Sequence, residues 1–98
     1  TEHPELYEQG YTYSNGQLIA PTVLKAGSDI ILKENIDLIG QSSSGINIYE
    51  FDYKNKSYGN GRYKGVMAQE VPNASFRHND GYLWVDYSKV DVKFERLS

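Results

Sequence analysis

Residues 25–36 read KAGSDIILKENI, a flexible joint followed by an apolar run. The small pair AG at residues 26–27 permits a bend, and the run IIL at residues 30–32 favours a strand or an irregular extended segment over an amphipathic helix. Ser28 follows the joint directly, and Lys33 stands five positions later. In a helix of ~3.6 residues per turn this spacing separates the two side chains by about 140°, and in a strand it sends them to opposite faces. A contact between Ser28 and Lys33 therefore requires a bent backbone or two chains.

A serine and a lysine at this spacing admit two interpretations. A desolvated lysine can lose its proton near neutral pH and act as the base that activates a serine hydroxyl. Gly27 would then provide the bend, and residues 30–32 would provide the apolar shell around Lys33. In the plainer interpretation a turn begins at Ser28, and Asp29 and Lys33 pair at the surface. The spacing by itself favours the plainer interpretation.

The rest of the sequence predicts an α+β fold that is predominantly β, with long hairpins and one or two short helical turns. The dipeptides Asn15-Gly16 and Asn60-Gly61 tolerate the positive φ angles of tight hairpin turns, and β-prone residues flank both. One helical turn is predicted at residues 69–71, closed by Pro72. Alternating or contiguous apolar residues predict extended segments at residues 46–53, 82–87 and 90–94, with a polar loop at residues 73–81.

Length and composition exclude several classes of function. A chain of 98 residues fits one compact domain with a thin core, so added buried area from oligomerisation is expected. The net charge of −3 is scattered along the chain, which argues against a nucleic-acid partner. The sequence contains no cysteine, which excludes disulfides and thiol catalysis. No apolar run approaches the about 20 residues of a membrane span, so we expect no membrane partner.

Other residues with the chemistry of a site have plainer interpretations. His3 and His78 lack a nearby array of ligands, so we expect exposed loop histidines and neither a metal nor a cofactor. Gly59-Asn60-Gly61 superficially suggests a phosphate loop, but its tyrosine-rich surroundings indicate a hairpin turn. The nine tyrosines and Trp84 could line a sugar-binding face, although core and interface packing is the commoner role.

Three stretches together resemble one family. They are SDIILKENI at residues 28–36, GVMAQEV at residues 65–71 and DGYLWVDYSKV at residues 80–90. In this order they resemble the C-terminal intramolecular chaperone domain of phage endosialidases and other tail-spike or tail-fibre proteins, a self-cleaving domain of the peptidase S74 type. The resemblance covers roughly residues 28–90.

The resemblance implies a specific activity. Such domains promote assembly of a homotrimer and then cut themselves off, by a Ser-Lys mechanism, at the peptide bond before the serine. It implies that Ser28 is the nucleophile, that Lys33 is its base and that Gly27–Ser28 is the scissile bond. Asp29 is expected to support the site, and Gln69 and Glu70 are expected to face it.

The resemblance also divides the chain and implies partners. Residues 1–27 would be an N-terminal hairpin or a fibre remnant, and residues 28–98 the chaperone-like domain. The family continues into a helix that forms a trimeric coiled coil, whereas residues 91–97 carry no heptad seam, so we expect a homotrimer without that coiled coil. The expected partners are the chain itself and an upstream fibre or virion protein, in the virion or in the host cytoplasm during phage assembly. The alternative is a non-cleaving structural trimer module, or an adhesin tip, with the same fold.

Overall fold

The computed structural model describes residues 12–19 and 24–98, which form nine strands and four single-turn 3₁₀ helices. All strand pairs are antiparallel, in sheets ordered β1-β2, β3-β8-β7 and β4-β5-β6-β9. The strands are β1 (Thr12–Ser14), β2 (Gln17–Ile19), β3 (Lys25–Gly27), β4 (Lys33–Gln41), β5 (Asn47–Tyr53), β6 (Arg62–Gly65), β7 (Ser75–Arg77), β8 (Leu83–Asp86) and β9 (Glu95–Arg96). The 3₁₀ helices are Ile30–Leu32, Ala68–Glu70, Pro72–Ala74 and Tyr87–Lys89. The predicted predominance of β structure is confirmed. Within residues 12–19 and 24–98, the helical structure consists of 3₁₀ turns alone.

Both predicted Asn-Gly hairpins are present. Asn15 and Gly16 adopt φ angles of 51° and 78°, so they form the two-residue turn between β1 and β2. Asn60-Gly61 lies in the longer loop between β5 and β6, which pair in antiparallel register. The predicted strand at residues 46–53 is confirmed as β5.

Between Ser28 and Lys33 the chain passes from one sheet to another. Strand β3 pairs with β8 and ends at Gly27, and β4 begins at Lys33 beside β5. The run at residues 30–32, expected to be extended, forms a 3₁₀ turn instead, because the Asp29 carboxylate caps it by accepting from Ile31 N. This turn is a bend of the kind that the five-residue spacing requires.

The C-terminal third differs from the prediction in two places. The predicted helical turn is present and ends before Pro72, but Pro72 also begins a second 3₁₀ turn that was not predicted, since its fixed φ and missing N–H suit the first helical position. The predicted polar loop at residues 73–81 contains β7, which pairs with β8. The tail is largely extended as predicted, with Val92 buried and a two-residue strand, β9, beside β6.

The core consists of two hydrophobic clusters. One comprises Ala26, Val66, Ala68, Val71, Ala74, Val85, Tyr87 and Val92. The other comprises Leu32, Phe51, Tyr53, Tyr63 and Met67. Aromatic rings dominate the second cluster, with Phe51 edge-on to Tyr53 at a centroid distance of 5.4 Å. Ser28, Asp29 and Lys33 are polar but buried as deeply as these apolar residues.

The strand before the proposed cleavage site is integrated into the fold. Residues 25–27 form β3, an edge strand of the β3-β8-β7 sheet. His3 and most of the predicted N-terminal segment lie outside the described residues, so the division at residue 27 stays a prediction. No helix within residues 12–19 and 24–98 is long and apolar enough to cross a membrane.

Candidate active site

Ser28 is fully buried at the end of β3. Its exposed fraction is 0%, and its Oγ forms a 3.0 Å hydrogen bond with the hydroxyl of Tyr87. Tyr87 reaches this position because Gly65 has no side chain, since a Cβ on Gly65 would lie 2.5 Å from the Tyr87 hydroxyl. The serine hydroxyl is therefore held in a dry environment.

Lys33 is buried in the same region. Its exposed fraction is 2%, its Nζ donates a 2.7 Å hydrogen bond to Val66 O, and the ammonium lies 3.9 Å from the centre of the Phe51 ring. Burial lowers the pKa of Lys33 from 10.5 to about 7, although the nearby Asp29 carboxylate raises it in part. Of the residues expected to form an apolar shell around the lysine, Ile30 and Ile31 are 49% and 58% exposed, whereas Leu32 is buried in the aromatic cluster that contains Phe51.

The side chains of Ser28 and Lys33 are linked through Tyr87 and the backbone of Val66. Val66 O accepts from Lys33 Nζ, and Val66 N donates a 3.1 Å hydrogen bond to the same Tyr87 hydroxyl that contacts Ser28 Oγ. The hydrogen bonds found in the described part of the chain include none directly between Ser28 and Lys33. The two groups thus lie at opposite ends of a short buried network, with the Tyr87 hydroxyl and the two backbone groups of Val66 between them.

The Gly27–Ser28 peptide bond is anchored on both sides. Gly27 O accepts a 2.6 Å hydrogen bond from the hydroxyl of Tyr53, which is 1% exposed. Ser28 N donates to Leu83 O at 3.1 Å, and Ser28 O accepts from Ala68 N at 2.7 Å. Both polar atoms of this peptide bond are therefore fixed by groups distant in sequence.

The side chains of Asp29 and Gln69, which were predicted to support the site, contact each other. The Asp29 carboxylate accepts from Gln69 Nε2 at 2.6 Å, from Leu83 N at 3.1 Å and from Ile31 N at 3.2 Å. Gln69 Oε1 in turn accepts from Ile30 N at 3.0 Å. Burial alone would raise the pKa of Asp29, but the hydrogen bonds from Gln69, Leu83 and Ile31 outweigh it and hold the pKa below its usual value.

Two expectations do not agree with the structure: a surface pair between Asp29 and Lys33, and a position of Glu70 facing the site. Asp29 and Lys33 are both buried and form no ion pair, so they are not a surface pair. Glu70 is exposed, and its carboxylate accepts from the Tyr49 hydroxyl at 2.9 Å and from Asn47 Nδ2 at 3.4 Å. The structure brings Glu70 to these two residues and not to Ser28 or Lys33.

Replacing Asp29 with alanine is expected to lower the free energy of unfolding by about 2–4 kcal/mol, because Leu83 N, Ile31 N and Gln69 Nε2 lose an ionised acceptor. Urea denaturation of the Ser28→Ala protein, with and without Asp29→Ala, measures the difference. Glu70→Gln, which keeps an acceptor for Tyr49 at an exposed site, is the control and should change stability by less than about 0.5 kcal/mol. A loss equal to that of Glu70→Gln would show that Asp29 does not hold the bend.

A comparison with known families identifies the domain. The family model described as chaperone of endosialidase, peptidase S74, matches residues 28–79, more than half of the 98-residue chain. The chain belongs to the endosialidase-chaperone family. No curated protein and no solved structure matches the chain. Membership indicates a function of the intramolecular-chaperone kind, of the sort found in phage proteins.

The family match begins at Ser28 and contains most of the site. Lys33, Tyr53 and Val66 lie inside the matched range, whereas Tyr87 lies beyond its end. Tyr53 and Tyr87 were not predicted as site residues. Strand alternation could have placed Tyr53 on the same face as Phe51, but with nine tyrosines in the chain no sequence signal shows which hydroxyls reach Gly27 and Ser28.

A cavity of about 350 Å³ adjoins the endosialidase-chaperone site, with Gly27 and Tyr53 among its lining residues. Trp84 also lines it and stacks on His78 at a centroid distance of 4.0 Å. His78 was expected to be an exposed loop histidine, but it is half-buried by this stack. Sugar binding by Trp84 was the less common of its two possible roles, and it stays an untested alternative. Within residues 12–19 and 24–98, no group of three or more His, Asp or Glu side chains could hold a metal ion.

Proposed function

We propose that this chain is an intramolecular chaperone of the tail-fibre or tail-spike type that promotes assembly of a homotrimer and cleaves itself once between Gly27 and Ser28. One observation carries the proposal: the Ser28 hydroxyl and the Lys33 amine are both buried and are linked through the Tyr87 hydroxyl and the backbone of Val66, at the end of the strand that would be cut. A lysine whose pKa is about 7 is neutral in a large fraction of molecules at neutral pH, so it can accept the proton of a serine hydroxyl.

The position of the serine determines the chemistry of the cut. Because the scissile bond precedes Ser28, its Oγ attacks the carbonyl carbon of Gly27 while its proton passes to Lys33 Nζ. Collapse of the tetrahedral intermediate breaks the C–N bond, and Ser28 N takes the proton back from Lys33. The product is an ester between Gly27 and Ser28 Oγ. Water then hydrolyses this ester to a Gly27 carboxylate and restores the Ser28 hydroxyl beside the Ser28 amine that was freed when the C–N bond broke, and the adjoining cavity offers the water a route to Gly27.

The geometry is that of a resting site. Ser28 Oγ contacts the Tyr87 hydroxyl instead of Lys33 Nζ, and Lys33 Nζ contacts Val66 O. Cleavage therefore requires a side-chain rearrangement that brings Ser28 Oγ and Lys33 Nζ together. Assembly of the trimer supplies this rearrangement, which couples the cut to completed folding.

Exposed apolar side chains support the assembly with further copies of the chain. Leu38 and Ile39 are 61% and 47% exposed on β4, which forms an edge of its sheet. The register of β4 with β5 shifts between Leu38 and Gly40, so Ile39 lies in a bulge and the edge carries two adjacent exposed apolar groups that a second subunit can cover. The partners are thus two further copies and an upstream fibre or virion protein, in the host cytoplasm during assembly or in the virion.

The second candidate is a structural trimer module, or an adhesin tip, that keeps the fold without cutting. The hydrogen bond between Ser28 Oγ and Tyr87 favours it, because a serine held by a neutral tyrosine is not activated. Burial raises the pKa of Tyr87, although the hydrogen bonds from Ser28 and Val66 lower it in part, so the tyrosine is not a base at neutral pH. The two candidates differ in whether the chain shortens.

The intact mass of freshly purified protein tests the proposal. The wild type is expected to lose its first 27 residues while Ser28→Ala keeps its full mass, because only the hydroxyl can attack Gly27. Light scattering on the same samples should give three chains per particle in both proteins. An unchanged mass in both proteins would favour the structural module, and a monodisperse monomer would contradict both candidates.

A further inference from the structure

The carbonyl group that would be attacked already carries a hydrogen-bond donor. Tyr53 lies at the end of β5 and donates through its hydroxyl to Gly27 O over 2.6 Å. The two residues come from different sheets and are 26 positions apart in sequence, so the contact does not follow from local chain geometry.

The register of β3 explains why the Gly27 carbonyl is available. Ser28 N donates to Leu83 O and Tyr87 N donates to Leu24 O, so alternate residues of this segment bond to β8. Gly27 pairs with Trp84 at a position between those bonds, and its C=O therefore points away from β8. The Tyr53 hydroxyl occupies the space on that side.

We propose that Tyr53 is a catalytic residue, whose hydroxyl stabilises the negative charge that develops on Gly27 O during the attack by Ser28. The inference rests on the self-cleavage proposed above. As Ser28 Oγ bonds to the Gly27 carbon, the electron pair of the C=O bond moves to the oxygen, and the O–H group of Tyr53 is already directed at that atom. A donor that is already fixed in place needs no reorganisation at the moment of reaction, which makes such donors effective.

The surroundings of Tyr53 keep it in the donor form. The residue is 1% exposed, and its ring packs edge-on against Phe51 and Tyr63 at 5.4 Å and 5.3 Å between ring centroids. Burial, with smaller contributions from the neighbouring tyrosines, raises its pKa well above 10. The hydroxyl therefore stays protonated at every pH at which Lys33 could act as the base.

The test compares cleavage by the wild type, Tyr53→Phe and Tyr49→Phe. Tyr53→Phe keeps the ring and removes only the donor, and the rate of cleavage is expected to fall by about 10²–10³-fold. Tyr49→Phe is the matched control, because it removes a hydroxyl that bonds Glu70 instead of Gly27, and it should cleave at the wild-type rate. Trimer content by light scattering and Trp84 fluorescence report whether each variant is folded.

A second measurement detects the hydrogen bond from Tyr53 to Gly27 O by NMR, in a protein that cannot cleave. Gly27–Ser28 is the only Gly-Ser pair in the sequence, and Ser28→Ala converts it into the only Gly-Ala pair. Labelling the Ser28→Ala protein with carbonyl-¹³C glycine and ¹⁵N alanine therefore gives a single correlated NMR signal from the Gly27 carbonyl. Adding Tyr53→Phe should move that carbonyl resonance upfield, as expected for loss of a donor, while adding Tyr49→Phe should not move it.

The outcomes separate this inference from the function on which it rests. Slow cleavage by a folded Tyr53→Phe trimer, together with the carbonyl shift, supports the catalytic role. Cleavage of Tyr53→Phe at the wild-type rate overturns that role and leaves self-cleavage standing. An unmoved carbonyl signal also overturns it, because the donor is then absent in solution. A wild-type chain that keeps its full mass overturns self-cleavage and the role of Tyr53 together.

Discussion

Replacing Lys33 with methionine is expected to abolish cleavage and at the same time to stabilise the fold. Without the amine no group takes the proton of Ser28, and the loss of a general base corresponds to a rate decrease of about 10²–10⁴-fold. Methionine has a similar shape but no charge, so the cost of burying an amine among Phe51 and its neighbours disappears.

The size of the stabilisation follows from two opposing effects. Shifting a lysine pKa from 10.5 to about 7 corresponds to about 5 kcal/mol against the ammonium in the folded state. The methionine variant leaves Val66 O without its donor, which costs about 1–3 kcal/mol. We therefore expect the free energy of unfolding near pH 6 to rise by about 2 kcal/mol, measured by urea denaturation of the Ser28→Ala protein with and without Lys33→Met.

Lys54→Met is the control for Lys33→Met, because Lys54 is exposed. In the wild-type background it should leave the cleavage rate unchanged, and in the Ser28→Ala background it should shift stability by less than about 0.5 kcal/mol. Cleavage by Lys33→Met at an undiminished rate would remove Lys33 from the mechanism. A loss of stability as large as that of a typical core truncation would show instead that the lysine is a structural element of the core.

Stability of the uncut Ser28→Ala protein is expected to rise with pH between about 7 and 9.5. In this window the unfolded chain carries a proton on Lys33 that the folded chain has lost, because the folded pKa of about 7 lies below 10.5. The unfolded state then binds more protons, so the free energy of unfolding increases by at most about 1.4 kcal/mol per pH unit. Between pH 7.5 and 9.5 the gain should be about 2–3 kcal/mol.

Above pH 10 the direction reverses. Burial raises the pKa values of Tyr53 and Tyr87 above their usual value of 10, so these groups stay protonated in the folded chain after they ionise in the unfolded one. The folded state then binds more protons, and stability falls as pH rises. Urea denaturation at a series of pH values measures the whole curve. Lys33→Met should remove the rise and keep the fall, and a curve with the same rise in both proteins would contradict a depressed pKa at Lys33.

The sequence drew attention to a few site residues and predicted some of the strands and turns. Ser28, Lys33 and the Gly27–Ser28 bond stood out because three ordered stretches resembled one family, and the hairpin at Asn15-Gly16 followed from turn chemistry alone. The 3₁₀ turn at Ile30–Leu32 could not be foreseen, because three contiguous large apolar residues normally indicate a strand. Here a long-range hydrogen bond decides the local structure, since the cap residue Asp29 is fixed by Leu83 N.

The contact between Lys33 and an aromatic ring could not be predicted for a similar reason. Leu32, next to Lys33 along the chain, is buried as expected, but the ring that contacts the ammonium belongs to Phe51, on the neighbouring strand β5. Contacts of this kind depend on the register between strands, which a single sequence determines poorly when many aromatic residues alternate. The same ambiguity concealed Tyr53 and Tyr87.

The position of β3 at the edge of its sheet determines what the proposed cut would separate. After hydrolysis, residues 25–27 would no longer be joined to Ser28, and they would be held by their pairing with β8, by the burial of Ala26 and by the Tyr53 hydrogen bond to Gly27. If these contacts opened, β8 would be paired on one side alone, with a row of open backbone donors and acceptors along the other. Departure of the cut segment would therefore turn a covered strand into an exposed sheet edge, a surface with which another chain can pair.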